Sequence, residues 1–198
     1  MMLNKNYWEN RYKNRNTGWD LGQASPPLTA YFDQLIAKDL KILIPGAGFG
    51  HEAVYLFEAG FTNVTVIDLS AFALKTLQKK LPDVSETHFI KGDFFEHTGS
   101  YDLIVEQTFF CAIDPQLRSQ YVQHCFELLN PFGKVAGILF DTHFTQNGPP
   151  FGGSIEEYIQ LFSPLFKIRI LERCYNSIKP RQGNELFFIF ENKQQPAN

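Results

Sequence analysis

Three glycines at alternate positions, Gly46, Gly48 and Gly50, stand between the short apolar run "KILIP" and the stretch "HEAVYLFEAG". Glycine tolerates backbone conformations that other residues resist, and it lets a ligand approach the main chain. A strand, loop and helix in that order also present unpaired N–H groups at the start of the helix. Asp68 ends the next β-branched run, "NVTVIDLS", with Leu69 beside it. A carboxylate at the end of a second strand can accept both hydroxyls of an adenosine ribose. Asp93 ends a third apolar run in "KGDFF". It can accept an adenine amino group while Phe94 packs on the ring, or it can simply cap a helix.

This set fits a dinucleotide or S-adenosylmethionine. The dinucleotide fingerprint places its last glycine three residues after the second, where helix and strand pack closely around a pyrophosphate. That position is His51 here, and the pattern is GxGxG followed by Glu52. An acid just inside the helix suits a ligand with an ammonium group and no phosphate.

These residues need elements that hold them in register. "KILIP" reads as a strand and "HEAVYLFEAG" as a helix closed by Gly60. "NVTVIDLS" is a second strand, and Ser70 caps a helix from Ala71 to Leu81 that Pro82 ends. "THFIKGDFF" and "YDLIVEQTFF" are further strands. Residues 116–129 form a helix, and "GKVAGILF" is a strand after the turn "NPFG". Earlier, Pro26 and Pro27 open a helix from Leu28 to Lys38. Strands alternating with helices mean a doubly wound parallel α/β sheet covered on both faces. "IEEYIQLFSPL" is a last helix. "FKIRILERCYNSI" and "NELFFIFEN" are strands joined by so short a link that they must be antiparallel.

The 198 residues suit one domain with a full core, and 44% hydrophobic content is ordinary for a globular chain. With 20 phenylalanines, core and pocket can both be aromatic, the core taking most of them. Net charge is −3 and no basic run exceeds Lys79-Lys80, which argues against a dedicated nucleic-acid binder. Cys111, Cys125 and Cys174 are too scattered for a disulfide framework or a CxxC metal site, so no metal is expected. The polar N-terminus lacks a signal core and the apolar runs are strand-sized. A soluble cytoplasmic protein without membrane contact is expected. Residues 1–24 are polar but aromatic, an arm or lid that packs onto something, and the tail 193–198 is expected to be disordered.

At this point the sequence resembles the class I S-adenosylmethionine-dependent methyltransferases. Within them it resembles the thiopurine S-methyltransferase superfamily, and most of all its halide/thiol methyltransferases. The stretches "YWENRYKNRNTGWDLGQASPPL", "LIPGAGFGHE", "KGDFF" and "LIVEQTFFCAIDPQLR" carry the likeness, with "GPPFGG" a weaker fifth. The resemblance implies a Rossmann-like seven-stranded sheet whose last strand is antiparallel. It implies that Trp8, Tyr12 and Trp19 of the arm close over the cofactor, Tyr12 standing where plant relatives have tryptophan. Gly46, Gly48, Asp68, Leu69, Asp93, Phe94 and Glu106 complete the cofactor side. Ala47 replaces the usual cysteine of the loop, and Glu106-Gln107 replaces Asp-Tyr, which bears on halide use and substrate choice.

Methyl transfer from a sulfonium is an in-line displacement that asks mainly for alignment and water exclusion. No residue with a required covalent role is expected. Phe109 and Phe110 follow the fourth strand on the substrate side, one facing the pocket and one the core. Arg118 matches a substrate-side arginine of thiopurine methyltransferases, with an exposed helix-surface arginine as the alternative. For Arg181 the structural role is favoured, and Cys111 reads as packing. The expected activity is methyl transfer to a small soft nucleophile: a thiol, bisulfide, thiocyanate or halide. The product would be S-adenosylhomocysteine. A thiopurine-type or other heteroatom methyltransferase is the runner-up. A nicotinamide-dependent oxidoreductase and a non-catalytic cofactor-binding module lie outside the class. Oligomeric state is left open, with a monomer favoured.

Overall fold

Seven strands form one sheet in the order β3-β2-β1-β4-β5-β7-β6 in a computed structural model that describes residues 3–194. The strands are β1 (Ile42–Pro45), β2 (Val64–Asp68), β3 (Phe89–Lys91), β4 (Tyr101–Gln107), β5 (Leu129–Phe140), β6 (Phe166–Arg173) and β7 (Glu185–Asn192). Strands β1 to β5 pair in parallel, and β7 runs antiparallel to both β5 and β6. The fold is therefore the expected Rossmann-like one with an antiparallel last strand. The helices are α1 (Lys5–Lys13), α2 (Pro26–Phe32), α3 (His51–Glu58), α4 (Ala71–Lys80), α5 (Arg118–Leu128) and α6 (Ile155–Phe162).

Alternation along each strand sends its apolar residues to two cores. Ile42, Ile44, Val64 and Val66 pack with Leu56 of α3 and Leu74 and Leu77 of α4. Leu43, Ile67 and Ile104 face the other way, toward Tyr121 and Cys125 of α5 and Tyr158 and Phe162 of α6. Much of the phenylalanine lies there: the Phe190 ring lies 4.6 Å from that of Phe162 and 4.5 Å from that of Phe188. Where β4 and β5 pair, Gly137 sits opposite Glu106. A Cβ at Gly137 would lie 2.1 Å from the Glu106 carbonyl oxygen. Two hydrogen-bonded strands cannot yield there. Gly137→Ala is expected to destabilise the fold by about 3 kcal/mol, read as a lowered midpoint in urea unfolding.

Several boundaries differ from the sequence reading. Helix α2 ends at Phe32 rather than Lys38, because residues 33, 34 and 36–38 are all exposed and offer no apolar stripe to continue it. Strand β3 shrinks to three residues, since Ser85 and Asp93 cap short helical turns on either side. Pairing of β5 begins at Leu129, opposite Tyr101, so the expected turn "NPFG" is a bulged lead-in with Phe132 at φ 64°. Lys193 of the expected disordered tail is held by Leu165 O and Ser163 O. Residues 195–198 of that tail, and residues 1–2 of the arm, lie outside the described residues. Among the described residues no helix is long and apolar enough to cross a membrane.

Candidate active site

The strand order reverses between β1 and β4, and a doubly wound sheet leaves a crevice at that point beyond its strand C-termini. A cavity of about 1040 Å³ lies there, lined by the glycine loop, the ends of β2 and β4, and the N-terminal arm. The chain turns from β1 into α3 with Gly46, Gly48 and Gly50 all at positive φ. Gly46 has a second constraint: a Cβ there would meet the Phe109 ring at 2.4 Å. The missing side chain lets Phe109 lie across the loop. Gly50 is the α3 N-cap and supplies no side-chain cap, so the first N–H groups of the helix have no capping partner from it.

Asp68 lies at the C-terminal end of β2, 7% exposed, on the cavity wall. Its Oδ1 accepts Ser70 N–H at 2.7 Å and its Oδ2 accepts Gly48 N–H at 3.4 Å. Each oxygen keeps a lone pair for a ligand hydroxyl. Burial pushes the carboxyl up to about 6, the two backbone donors oppose that, and the nearby Glu9 carboxylate adds to it. Leu69 and Asp93 also line the cavity, and Asp93 caps the turn after β3 through Oδ1, 3.0 Å from Phe95 N. Phe94 is 3% exposed and belongs to the core, with Phe109 and His124 packed on it. It reaches the cavity wall as well.

The arm closes the same space. Trp8, Tyr12 and Trp19 all line it. A Cβ on Gly48 would sit 3.8 Å from Tyr12 Oη and 3.9 Å from Trp19 Nε1, so the aromatics lie directly over the loop. Polar contacts hold the arm down. Ser70 Oγ donates to Glu9 at 2.6 Å, next to the start of α4, where a carboxylate is favoured. Asp20 meets His51 Nε2 at 2.9 Å, and Arg181 donates to the Trp19 carbonyl at 2.6 Å. Glu52 is buried on the wall and accepts Ser25 N–H at 3.0 Å.

Three expected site residues lie outside the cavity wall. Glu106 is 1% exposed, and alternation along β4 turns it toward α5. There it accepts Phe109 N–H at 2.8 Å, Phe110 N–H at 2.9 Å and the Tyr121 hydroxyl at 2.8 Å. Phe110 is 1% exposed and packs against Tyr121, Tyr158 and Phe162, while Phe109 faces the cavity. Arg118 is neither on the wall nor on the surface. It is 5% exposed, pairs with Glu157, donates to Gly152 O at 2.8 Å, and lies over the Phe110 ring. It bolts the start of α5 to the Pro/Gly loop and to α6.

The cavity wall also holds Arg181 and Cys111, which the sequence alone assigns to structural roles. Arg181 is engaged by Trp19 O and by Glu185 at 3.2 Å. Because β7 is antiparallel, its first residue, Glu185, pairs with Phe140 at the C-terminal end of β5. The β6–β7 link therefore falls on the cavity side, and topology alone could have located Arg181. Cys111 is on the wall too, its thiol pushed up to about 12 by burial and by the Glu106 charge, which makes it a poor nucleophile. Arg181→Gln removes a charge-assisted bond from the arm. Tryptic cleavage between Lys13 and Arg15 is expected to quicken about tenfold. Following Tm in parallel separates arm release from global unfolding.

The sheet order, the glycine loop and the acid at the end of β2 define a class I methyltransferase fold. The solved Burkholderia thailandensis 1,6-didemethyltoxoflavin-N1-methyltransferase, with bound S-adenosylhomocysteine, has that fold. It superposes with a TM-score of 0.75 at 18% identity, covering 96% of this chain and 87% of that one. The sequence profile of Thiopurine S-methyltransferase (TPMT) matches residues 3–196, and the chain belongs to that family. A probable thiol methyltransferase 2 of Arabidopsis thaliana is 30% identical over 184 residues, covering 90% of this chain and 81% of that protein. A thiopurine S-methyltransferase of Acinetobacter baylyi is 26% identical over 204 residues, covering 90% and 92%.

Proposed function

We propose that the chain transfers the methyl group of S-adenosylmethionine to a small soft nucleophile: a thiol, bisulfide, thiocyanate or halide. Membership of the thiopurine S-methyltransferase family makes it a methyltransferase using that cofactor on a small heteroatom acceptor. The observation that carries the reading is one continuous cavity. It joins a glycine cradle with a buried carboxylate to a wall of Phe109, Cys111, Phe140 and Phe144, under an aromatic arm. The cradle fits the cofactor. Its glycine positions are free of side chains, and Asp68 keeps acceptor capacity toward the cavity. Gly46, Gly48, Asp68 and Leu69 would hold the nucleoside, with Asp93 and Phe94 at the base and Trp8, Tyr12 and Trp19 above. The bound sulfonium supplies both the methyl group and its own leaving group. Phe109 lines the cavity beside Gly46, where an aromatic ring excludes water and favours a cation electrostatically. The relatives bearing thiol and thiocyanate names support a compact acceptor.

Calorimetry with S-adenosylmethionine and S-adenosylhomocysteine tests the cofactor, and absence of binding removes the reading. Methyl transfer from labelled cofactor to bisulfide, thiocyanate, iodide, an aromatic thiol and a thiopurine then tests the acceptor. Turnover confined to the ring compounds would replace the small soft nucleophile with the thiopurine-type acceptor.

A further inference from the structure

We infer that the side-chain amide of Gln107 is the hydrogen-bond donor for an anionic nucleophile, and so a specificity-determining residue of the substrate end. Gln107 is the last residue of β4, paired with Ile138 at the C-terminal end of the central sheet. Alternation along the strand turns it away from its neighbour Glu106 and onto the cavity wall. Its carbonyl oxygen is sealed from solvent and has no hydrogen-bond partner among the described residues. With the amide oriented this way, the nitrogen is the end left toward the cavity. A buried polar atom without a partner is unfavourable, and an apolar side chain of similar length would fill the same space without it. A glutamine there is accounted for by what its N–H groups meet.

Those N–H groups donate and cannot accept, so the complementary ligand atom carries a lone pair or negative charge. The two candidate arginines already have partners. Arg181 is bound to Glu185 and to the Trp19 carbonyl, and Arg118 is bound to Glu157 and the Gly152 carbonyl away from the wall. The carboxylates close in sequence are also committed: Glu106 to three donors in the core, and Asp114 to Gln116 N–H at 2.9 Å. The ligand class is a small soft anion such as thiocyanate, hydrosulfide or iodide. Its role as methyl acceptor rests on the proposed function; its binding does not.

The test is titration of thiocyanate, iodide and a neutral heterocyclic thione into protein saturated with S-adenosylhomocysteine. Gln107→Met keeps length and removes the amide; Gln107→Glu puts a charge in its place. Gln107→Met is expected to weaken both anions by about tenfold or more, as for loss of a hydrogen bond to a charged group. The neutral thione should stay within about twofold, and Gln107→Glu should abolish anion binding. Affinity for S-adenosylhomocysteine in both variants reports that the rest of the site is folded. The inference is overturned if wild-type protein shows no saturable anion binding. It is equally overturned if Gln107→Met leaves the anions unchanged, or weakens anions and thione alike. Anion binding that depends on Gln107 without methyl transfer from labelled cofactor would uphold the subsite and defeat the proposed function.

Discussion

Replacing Asp68 with alanine is expected to weaken S-adenosylmethionine binding by about 2–3 kcal/mol, on the order of a hundredfold in Kd. The carboxylate is held by two backbone N–H groups, one from the glycine loop and one from the start of α4. Its remaining lone pairs face the cavity, where they meet the ribose hydroxyls in the proposed pose. The variant loses those charge-assisted bonds and also frees Gly48 N–H. Asp68→Asn keeps one carbonyl acceptor and is expected to fall between the two. The wild-type affinity should depend on pH for the same reason. Burial raises the Asp68 carboxyl to about 6, so acidification through that value protonates it and removes the charged acceptor. Calorimetry at pH 5 and pH 8 should show weaker binding at pH 5 in wild type. Asp68→Asn should show a smaller difference. Equal affinities for wild type and Asp68→Ala would return Asp68 to holding the loop alone.

Glu106→Ala is expected to lower stability by about 3–5 kcal/mol. Two backbone N–H groups and the Tyr121 hydroxyl converge on this one buried carboxyl. Truncation leaves three donors without a partner and a void beneath the turn that places Phe109 against Gly46. Glu106→Gln retains an oxygen for the two N–H groups and presents its amide nitrogen to Tyr121, so most of that loss should be recovered. Burial raises the Glu106 carboxyl from its ordinary 4.5 to about 7. Between those values the folded chain holds a proton that the unfolded chain has lost. Stability from this group therefore falls as pH rises through the window. The glutamine variant has no such proton. Its stability relative to wild type is expected to improve from pH 4.5 to pH 7 and then level off. Urea unfolding at a series of pH values reads this directly, and a difference that does not change with pH would mean that the Glu106 carboxyl titrates alike in the folded and the unfolded chain.

Asp68 and Glu106 differ in how visible their surroundings are in the chain itself. Asp68 was legible because everything that marks it is local: a β-branched run, an acid at its end, and a serine that caps the next helix. The glycine loop was legible for the same reason, since a tight turn into a helix is written in consecutive residues. Glu106 and Gln107 were adjacent letters in a strand, and only their opposite directions assign one to the core and the other to the cavity. Arg118 meets neither expectation, being in contact with neither water nor the cavity. Its partners, Glu157 and Gly152, lie far along the chain, and no local pattern announces a buried ion pair. Helical propensity persists beyond Phe32 while the apolar face does not, so α2 ends before Lys38.

The order of strands and helices, the antiparallel ending and the identity of the loop-binding class follow from short-range signals: periodicity, caps and glycine spacing. These act over a few residues and survive in any window of the sequence. Most of the rest of the cavity wall was decided by tertiary structure. Arg181 reaches the cavity because β7 runs backwards beside β5, and the arm reaches it because Glu9, Asp20 and Trp19 meet groups on other elements. Which side chain faces the cavity is a property of packing between segments distant in sequence, and that free energy is distributed over partners no single stretch contains.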